Sequence, residues 1–352
     1  MWRICPAVRH GIQRQSWLRF DRGHCYSCLI ECYLFYKVLV YERIKMNKAT
    51  SSETSKNVST PDRLTLLAYL FIVLFAGANA VAVRFTVAEL PPFWGAFLRF
   101  ASAALIFWVL VLLRKTTMPA GRALFGVLLY GFLSFGASYA FLYWGLQEIP
   151  AGLTQVILGL VPLMTFFSAF LHGLEPFRWR GLFGATLAVT GIAFAFVEQP
   201  SGNLPFLSLL AIIAGAACIA ESAVVVKLYP PSDPFITNAL AMTTGSLTLM
   251  ILSLVAGEAW IWPTRPATWA SILYLVFIGS VVVFYLFLFI IQRWTASATS
   301  YQFVLFPFVT VLLAAWLANE AINSALILGG MLVLAGVWIG AFSNSSMPRK
   351  AR

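Results

Sequence analysis

Two ionisable side chains interrupt long apolar runs of this 352-residue chain: Arg99 within 92–113 and Glu221 within 204–226. At the centre of a membrane helix an ionisable group costs about 2.5–3.5 kcal/mol on insertion scales, so such residues face a bundle interior and count first as functional candidates. Arg99 can hold an anionic group of a solute or pair with a carboxylate; equally, it can lock two helices as a structural ion pair. Glu221 has Ser222 beside it and Cys218 one turn before. Burial disfavours the charged form of a carboxyl, which suits Glu221 to proton coupling or cation binding. A permanently protonated or Arg-paired Glu is the structural alternative.

Neutral polar residues extend the set of pathway candidates to Asn79, Tyr139, Gln155, Tyr301 and Gln302. Tyr139 and Tyr143 lie one turn apart and can line a pathway, although interfacial anchoring explains Tyr143 equally well. Gln155, Tyr301 and Gln302 fall in the first turns of two apolar runs, where they can hydrogen-bond a polar solute or a neighbouring helix. Pro162 and Pro307 each remove one backbone hydrogen bond, giving two hinge candidates or two packing kinks. Glu175 and Glu320 read as structural residues at helix ends, and His172 as interfacial. Gly336-x-x-x-Gly340, matched by Gly191-x-x-x-Ala195, allows close helix contact.

Other chemistries lack their motifs. The chain contains no Gly-Lys dipeptide and hence no phosphate-binding P-loop, and neither G-x-S-x-G nor H-E-x-x-H occurs. Four of the five cysteines (Cys5, Cys25, Cys28, Cys32) precede residue 33. The Cys25-x-x-Cys28 spacing has no second pair to complete a metal site, so reduced, unpaired thiols are expected. No cofactor, metal site or enzymatic activity is expected.

These side chains need elements to hold them, and the composition says of what kind. Hydrophobic residues make up 60% of the chain and charged residues 11%, against about 25% charged in a soluble domain. Apolar runs of about 20 residues, each enough to cross roughly 30 Å of hydrocarbon as helix, are predicted at 64–88, 92–113, 121–143, 151–171, 181–198, 204–226, 235–256, 268–290, 297–318 and 322–342. Backbone groups in lipid must be satisfied internally, so the runs are helices, and their length without strict alternation excludes a β-barrel. The expected fold is all-α and integral to the membrane, with ten helices.

The net charge of +11 is spread along the chain and does not describe a nucleic-acid surface. With both termini cytoplasmic, the inner loops and tail hold ten basic residues (Arg114, Lys115, Arg122, Arg178, Arg180, Lys227, Arg293, Arg349, Lys350 and Arg352). The outer side holds two, Arg84 and Arg265, as the positive-inside rule requires. Residues 1–63 read as a disordered N-terminal extension in which Met46 is the functional start. Residues 343–352 form a basic cytoplasmic tail.

The membrane part divides into two repeats, 64–198 and 204–342. Pro162 and Pro307, Glu175 and Glu320, Gly191 and Gly336, Gly184 and Gly329, and Thr165 and Thr310 are all 145 residues apart. Asn79–Arg84 meets Ser222–Lys227 at an offset of 143, as Pro91 meets Pro234. Five helices per repeat would carry the chain across the membrane, so the second repeat enters inverted. Inverted repeats around a midplane site are a common plan of secondary transporters.

Three stretches resemble the EamA-type family of the drug/metabolite transporter superfamily: Gly77–Arg84 with Glu89-Leu-Pro-Pro92 and Arg99, Gly145–Thr154 leading to Pro162 and Glu175, and Gly181–Gly191 with its echo Gly329–Gly336. The resemblance covers 64–342. It implies a central cavity between the halves and a multi-pass protein of the bacterial inner membrane that exports or exchanges metabolites. Arg99 has Met242 at its equivalent position, and the family pattern often lacks a basic residue there. The expected partners are a small-molecule solute, a coupling proton and membrane lipid, without nucleic acid, in a monomer or homodimer. A non-transporting scaffold or receptor, and less so a membrane-embedded enzyme, are the alternatives. A scaffold would not need a duplicated, inverted architecture, and an enzyme would need catalytic polar residues clustered at one face, where the sequence has only scattered ones.

Overall fold

The computed structural model describes residues 63–174, 179–196, 205–294, 296–300, 302–318 and 324–339. Expectations for the N-terminal extension with Met46 and its cysteines, for Glu175, Tyr301, Glu320 and Gly340, and for the basic tail concern residues outside this set.

All regular elements among the described residues are helical: α1 (Arg63–Val87), α2 (Pro92–Arg114), α3 (Gly121–Gly145), α4 (Ala151–Leu171), α5 (Trp179–Phe196), α6 (Phe206–Leu228), α7 (Pro234–Val255), α8 (Pro266–Arg293), α9 (Ala296–Ser300), α10 (Gln302–Leu317) and α11 (Ser324–Val337). Seven of them, α1–α4 and α6–α8, are long and apolar enough to cross a membrane, and α10 is a shorter apolar helix.

Helix α2 shows how sequence sets these elements. Pro92 opens it at a position where the missing N–H costs nothing. Lys115 closes it in a left-handed conformation, donating its N–H to Val111 O. Between them Arg99, Phe100, Ala103 and Phe107 point inward and are fully buried, while Leu105, Val109, Leu112 and Leu113 point outward. The outward residues are apolar throughout, which is the surface lipid requires.

Two helix pairs hold the halves together, and each pair runs antiparallel. Along α2 and α7, Trp94 lies beside Trp260, Trp108 Nε1 donates to Thr243 Oγ1 at 3.0 Å, and Arg114 stacks over Phe235. In α5 and α11, a Cβ on Gly191 would lie 2.7 Å from Gly329 O, and one on Gly336 would lie 2.5 Å from Gly184 O. Only glycine allows so close an approach. Because 184 and 329 share the 145-residue offset of 191 and 336, each contact is the image of the other.

The long helices are not uniform. α3 and α8 each contain a π-helical turn, at Phe132–Ala137 and Phe277–Val282, and 132 and 277 are again 145 apart. α1 is interrupted at Ala78, where α10 crosses: Thr310 Oγ1 donates to Gly77 O, and a Cβ on Gly77 would meet Val309 Cβ at 2.7 Å. α4 breaks at Gly159–Leu160, and Pro162 stands in the first turn of its second segment. Pro307, by contrast, lies inside the continuous α10. The two prolines share a register but not a local structure.

Candidate functional site

A cavity of about 90 Å³ lies among α1, α2, α3, α4, α6, α8 and α10. Its polar lining includes Asn79, Arg99, Tyr139, Gln155 and Gln302, five residues chosen above from sequence, together with Ser134, Tyr143, Thr154 and Ser222. The rest is apolar, with Phe284, Phe287, Phe303 and Phe306 on one side. Tyr143 is fully buried, so it lines the cavity and does not anchor an interface.

Arg99 is the cavity's one charge among the described residues. The π-helical turn of α8 receives it: Nε donates to Ser280 Oγ at 2.8 Å and Nη2 to Gly279 O at 2.9 Å. Asn79 Nδ2 donates to the same Gly279 carbonyl at 3.2 Å. Sequence alone missed this cradle, because a π-helical turn has no strong composition and Gly279-Ser280 looks like ordinary membrane helix. A side chain at Gly279 has no room, since its Cβ would lie 2.3 Å from Asn79 Oδ1. The guanidinium also sits over the rings of Phe100 and Tyr139, 4.8 and 5.0 Å from their centroids, where cation–π attraction offsets part of its desolvation.

Several polar atoms of the lining are left over. Arg99 Nη1, Asn79 Oδ1, Thr154 Oγ1, Gln155 Oε1 and Gln302 Oε1 are buried and make no hydrogen bond to another described residue. Together they give a molecule in the cavity several donors and acceptors to bind.

Glu221 does not join this set. Successive helical residues point about 100° apart, and α6 turns Ser222 to the cavity and Glu221 toward α4. There Glu221 accepts from Ser168 Oγ and pairs with His172 Nε2 at 3.2 Å. The expected acid in the pathway is thus an inter-helix tie, and His172 has a specific partner instead of a merely interfacial position. Tyr301 lies outside the described residues, while Gln302 beside it is buried in the lining.

The two ends of the bundle differ. At the end bearing the α1–α2 loop, two carboxylates cross between the repeats. Glu258, after α7, accepts from the N–H groups of Phe93 and Trp94 at 3.0 and 2.8 Å, which open α2. Glu89, before α2, accepts from Thr264 and Arg265 N–H at 2.6 and 3.2 Å, just ahead of α8. Glu258 therefore satisfies orphan donors in the first turn of a helix from the other repeat, and Glu89 holds the two residues that lead into one. Hydrogen bonds from the hydroxyls of Thr264 and Thr268, then from backbone N–H groups, pull the Glu89 carboxyl down to about 2. Leu90, Ile272 and Val276 pack beneath this clamp, and Trp94 stacks on Trp260 above it. At the opposite end, by the α6–α7 loop, a cavity of about 500 Å³ lies between the start of α3 and the end of α8. Tyr130 lines that cavity and Phe284 lines the first; the ring of Phe135 contacts both.

Known proteins share this architecture. The chain is 27% identical over 290 residues to the uncharacterized inner membrane transporter YedA of Escherichia coli K12, covering 79% of this chain and 92% of that protein. It is 26% identical to a probable amino-acid metabolite efflux pump of the same strain, covering 78% and 93%. A crystal structure 20% identical in sequence superposes with a TM-score of 0.59 over 79% of this chain and 96% of its own, which supports the fold. The model of the EamA-like transporter family matches twice, at residues 63–197 and 206–341. Together with the tandem helical repeats, this makes the chain a multi-pass protein of the bacterial inner-membrane type and a member of the EamA-like transporter family.

Proposed function

We propose that the protein is a secondary or facilitative exporter that moves small metabolites through the central cavity by alternating access. One observation carries the reading: polar side chains of both repeats, Asn79, Arg99 and Gln155 from the first and Ser222 and Gln302 from the second, line one cavity enclosed by helices of both. A scaffold has no use for such a cavity, whereas a transporter needs binding groups that its solute meets in transit. The antiparallel contacts of the equivalent helices α2 and α7, and of α5 and α11, support ten spans in two inverted repeats, with α5, α10 and α11 completing the seven longer helices. The proposed second state exchanges the roles of the two ends. The clamped end opens and the end with the 500 Å³ cavity closes.

The positive-inside distribution supports a clamped end outside and both termini in the cytoplasm; in this reading the state described faces inward. Pro162 and Pro307 take the hinge role in this scheme. No Asp or Glu lines the central cavity among the described residues, which favours facilitated movement or exchange over proton coupling through the site. The relative named as an amino-acid metabolite efflux pump supports outward movement of polar metabolites.

Counterflow in proteoliposomes with a panel of labelled amino acids, organic acids and other polar metabolites tests this, with and without an imposed pH gradient. Saturable flux is expected, and Ser222→Trp, which fills the cavity, abolishes it while leaving the protein folded. A folded parent protein that moves no compound of the panel, or a Ser222→Trp variant with undiminished flux, refutes the reading.

A further inference from the structure

We infer that the cavity selects small monoanionic carboxylates with an apolar body over zwitterionic and neutral solutes of the same shape, and that Arg99 is the residue that selects them. The inference rests on the transporter reading and names its substrate class. Arginine stays charged at any physiological pH, and a buried ion without a counter-ion is strongly unfavourable. Arg99 is fully buried, yet among the described residues it pairs with no carboxylate; the only ion pair there is His172–Glu221. The structural alternative raised by the sequence, a helix-locking ion pair, therefore lacks its acid.

The protein meets Arg99 with neutral groups alone: Ser280 Oγ and Gly279 O accept from it, and the hydroxyls of Tyr139 and Tyr143 stand beside it. The two acceptors fix the guanidinium through Nε and Nη2 and leave Nη1 without a hydrogen bond. What remains is a positioned, unneutralised cation with a free donor in an otherwise uncharged cavity. A carboxylate supplies both the charge and the acceptor, and guanidinium–carboxylate bonds are among the strongest a protein makes.

The rest of the lining restricts the solute further. A zwitterion would bring an ammonium into the same enclosure, where among the described residues no acidic side chain stands to receive it and where Arg99 repels it. A neutral amide would leave the guanidinium uncompensated. Beyond these polar groups the lining is apolar, from Ile72 and Val83 to the four phenylalanines of α8 and α10, so an aryl or branched aliphatic body gains by burial. The neutral oxygens of Asn79, Gln155 and Gln302 accept hydrogen bonds from a hydroxyl or amide on that body without requiring a charge.

Three ligands of one shape decide the matter: 3-phenylpropanoate, phenylalanine and 3-phenylpropanamide, with acetate as a body-less control. Calorimetric titration of the detergent-purified full-length protein reads their affinities directly. The acid is expected to bind at least tenfold more tightly than phenylalanine, the amide or acetate. Arg99→Gln is expected to abolish the preference for acid over amide, and Arg99→Lys, which keeps a charge, to retain part of it. Equal or tighter binding of phenylalanine overturns the inference, as does a preference for the acid that survives in Arg99→Gln. Acetate binding as tightly as the acid also overturns it, because the apolar body would then count for nothing. If Arg99→Gln does not fold, the four-ligand comparison on the parent protein decides alone. Saturable counterflow of zwitterions without acid preference would sink this inference and leave the transporter reading standing, so the two fail separately.

Discussion

Replacing Glu258 by Gln should loosen the clamped end without touching the cavity. The carboxylate accepts from Phe93 N at 3.0 Å, Trp94 N at 2.8 Å and Ser253 Oγ at 2.8 Å. The two backbone donors begin α2 and have no acceptor within their own helix. Gln keeps one acceptor oxygen, so at least one N–H loses its ionised partner. A hydrogen bond to a charged group is worth about 1.5–3 kcal/mol, and the negative charge near the helix N-terminus adds about 0.3–1 kcal/mol. A loss of about 2 kcal/mol from the clamped state is a rise of about 30-fold in the population with that end open. Leu146 lines the cavity toward this end and is 3% exposed. With the native cysteines replaced and a single cysteine at Leu146, an impermeant thiol reagent added from the clamped side reports that population as a labelling rate. The rate should rise about 30-fold in Glu258→Gln and further when Glu89→Gln is added. A rate unchanged within about twofold, in protein that still folds, would refute the claim that these carboxylates hold the end shut.

Three further outcomes follow from the same geometry. Gly336→Ala should lower thermal stability in detergent by the equivalent of about 1–3 kcal/mol, because its Cβ meets backbone 2.5 Å away that cannot yield. Gly330→Ala, on the same helix but with its nearest neighbour at 3.6 Å, should be tolerated; equal melting temperatures for both would contradict the contact. The Glu89 carboxyl is depressed to about 2, so its contribution is complete above the ordinary carboxylate value and is lost as pH falls toward about 2. The difference in melting temperature between parent and Glu89→Gln should be flat from about pH 5.5 to 8 and shrink below about 4.5, and a difference that grows on acidification would reverse the assignment. Glu221→Gln should leave ligand affinity unchanged and cost less than about 1 kcal/mol of stability, as half-exposed ion pairs do. A lost binding isotherm in that variant would return Glu221 to the pathway.

The helices and the repeat were legible because each rests on a local or periodic signal. Span length, the Pro-Pro start of α2 and the fixed offset of 145 residues between matching Pro and Gly positions need no tertiary knowledge. Arg99 and Gln155 were legible because a polar side chain in an apolar run has few places to go. Glu221 misled for the same reason: the rule says that such a residue turns inward, but not toward which neighbour, and one helical step separates the cavity from the α4 contact. The Glu89 and Glu258 clamps could not be seen, since their acceptors bond residues 164–176 positions away. An acid ahead of a helix beginning with proline is a signal for capping its own helix, whereas here Glu258 caps the other repeat's helix and Glu89 holds the residues that lead into one. The π-helical turns were equally hidden, because they follow from packing and not from composition.

The places where the second repeat departs from the first are as informative as the matches. The glycine contact between α5 and α11 must be self-complementary, since each residue faces the image of its partner, and both repeats keep the glycines. Arg99 obeys the opposite requirement. It reaches the cavity from the first repeat, and the lining holds no second charge among the described residues. A second guanidinium in the same small enclosure would repel the first and add a second desolvation cost. Met242 occupies the equivalent position and is fully buried. The frame of equivalent helix contacts is therefore kept twice, while the charge at the cavity is present once.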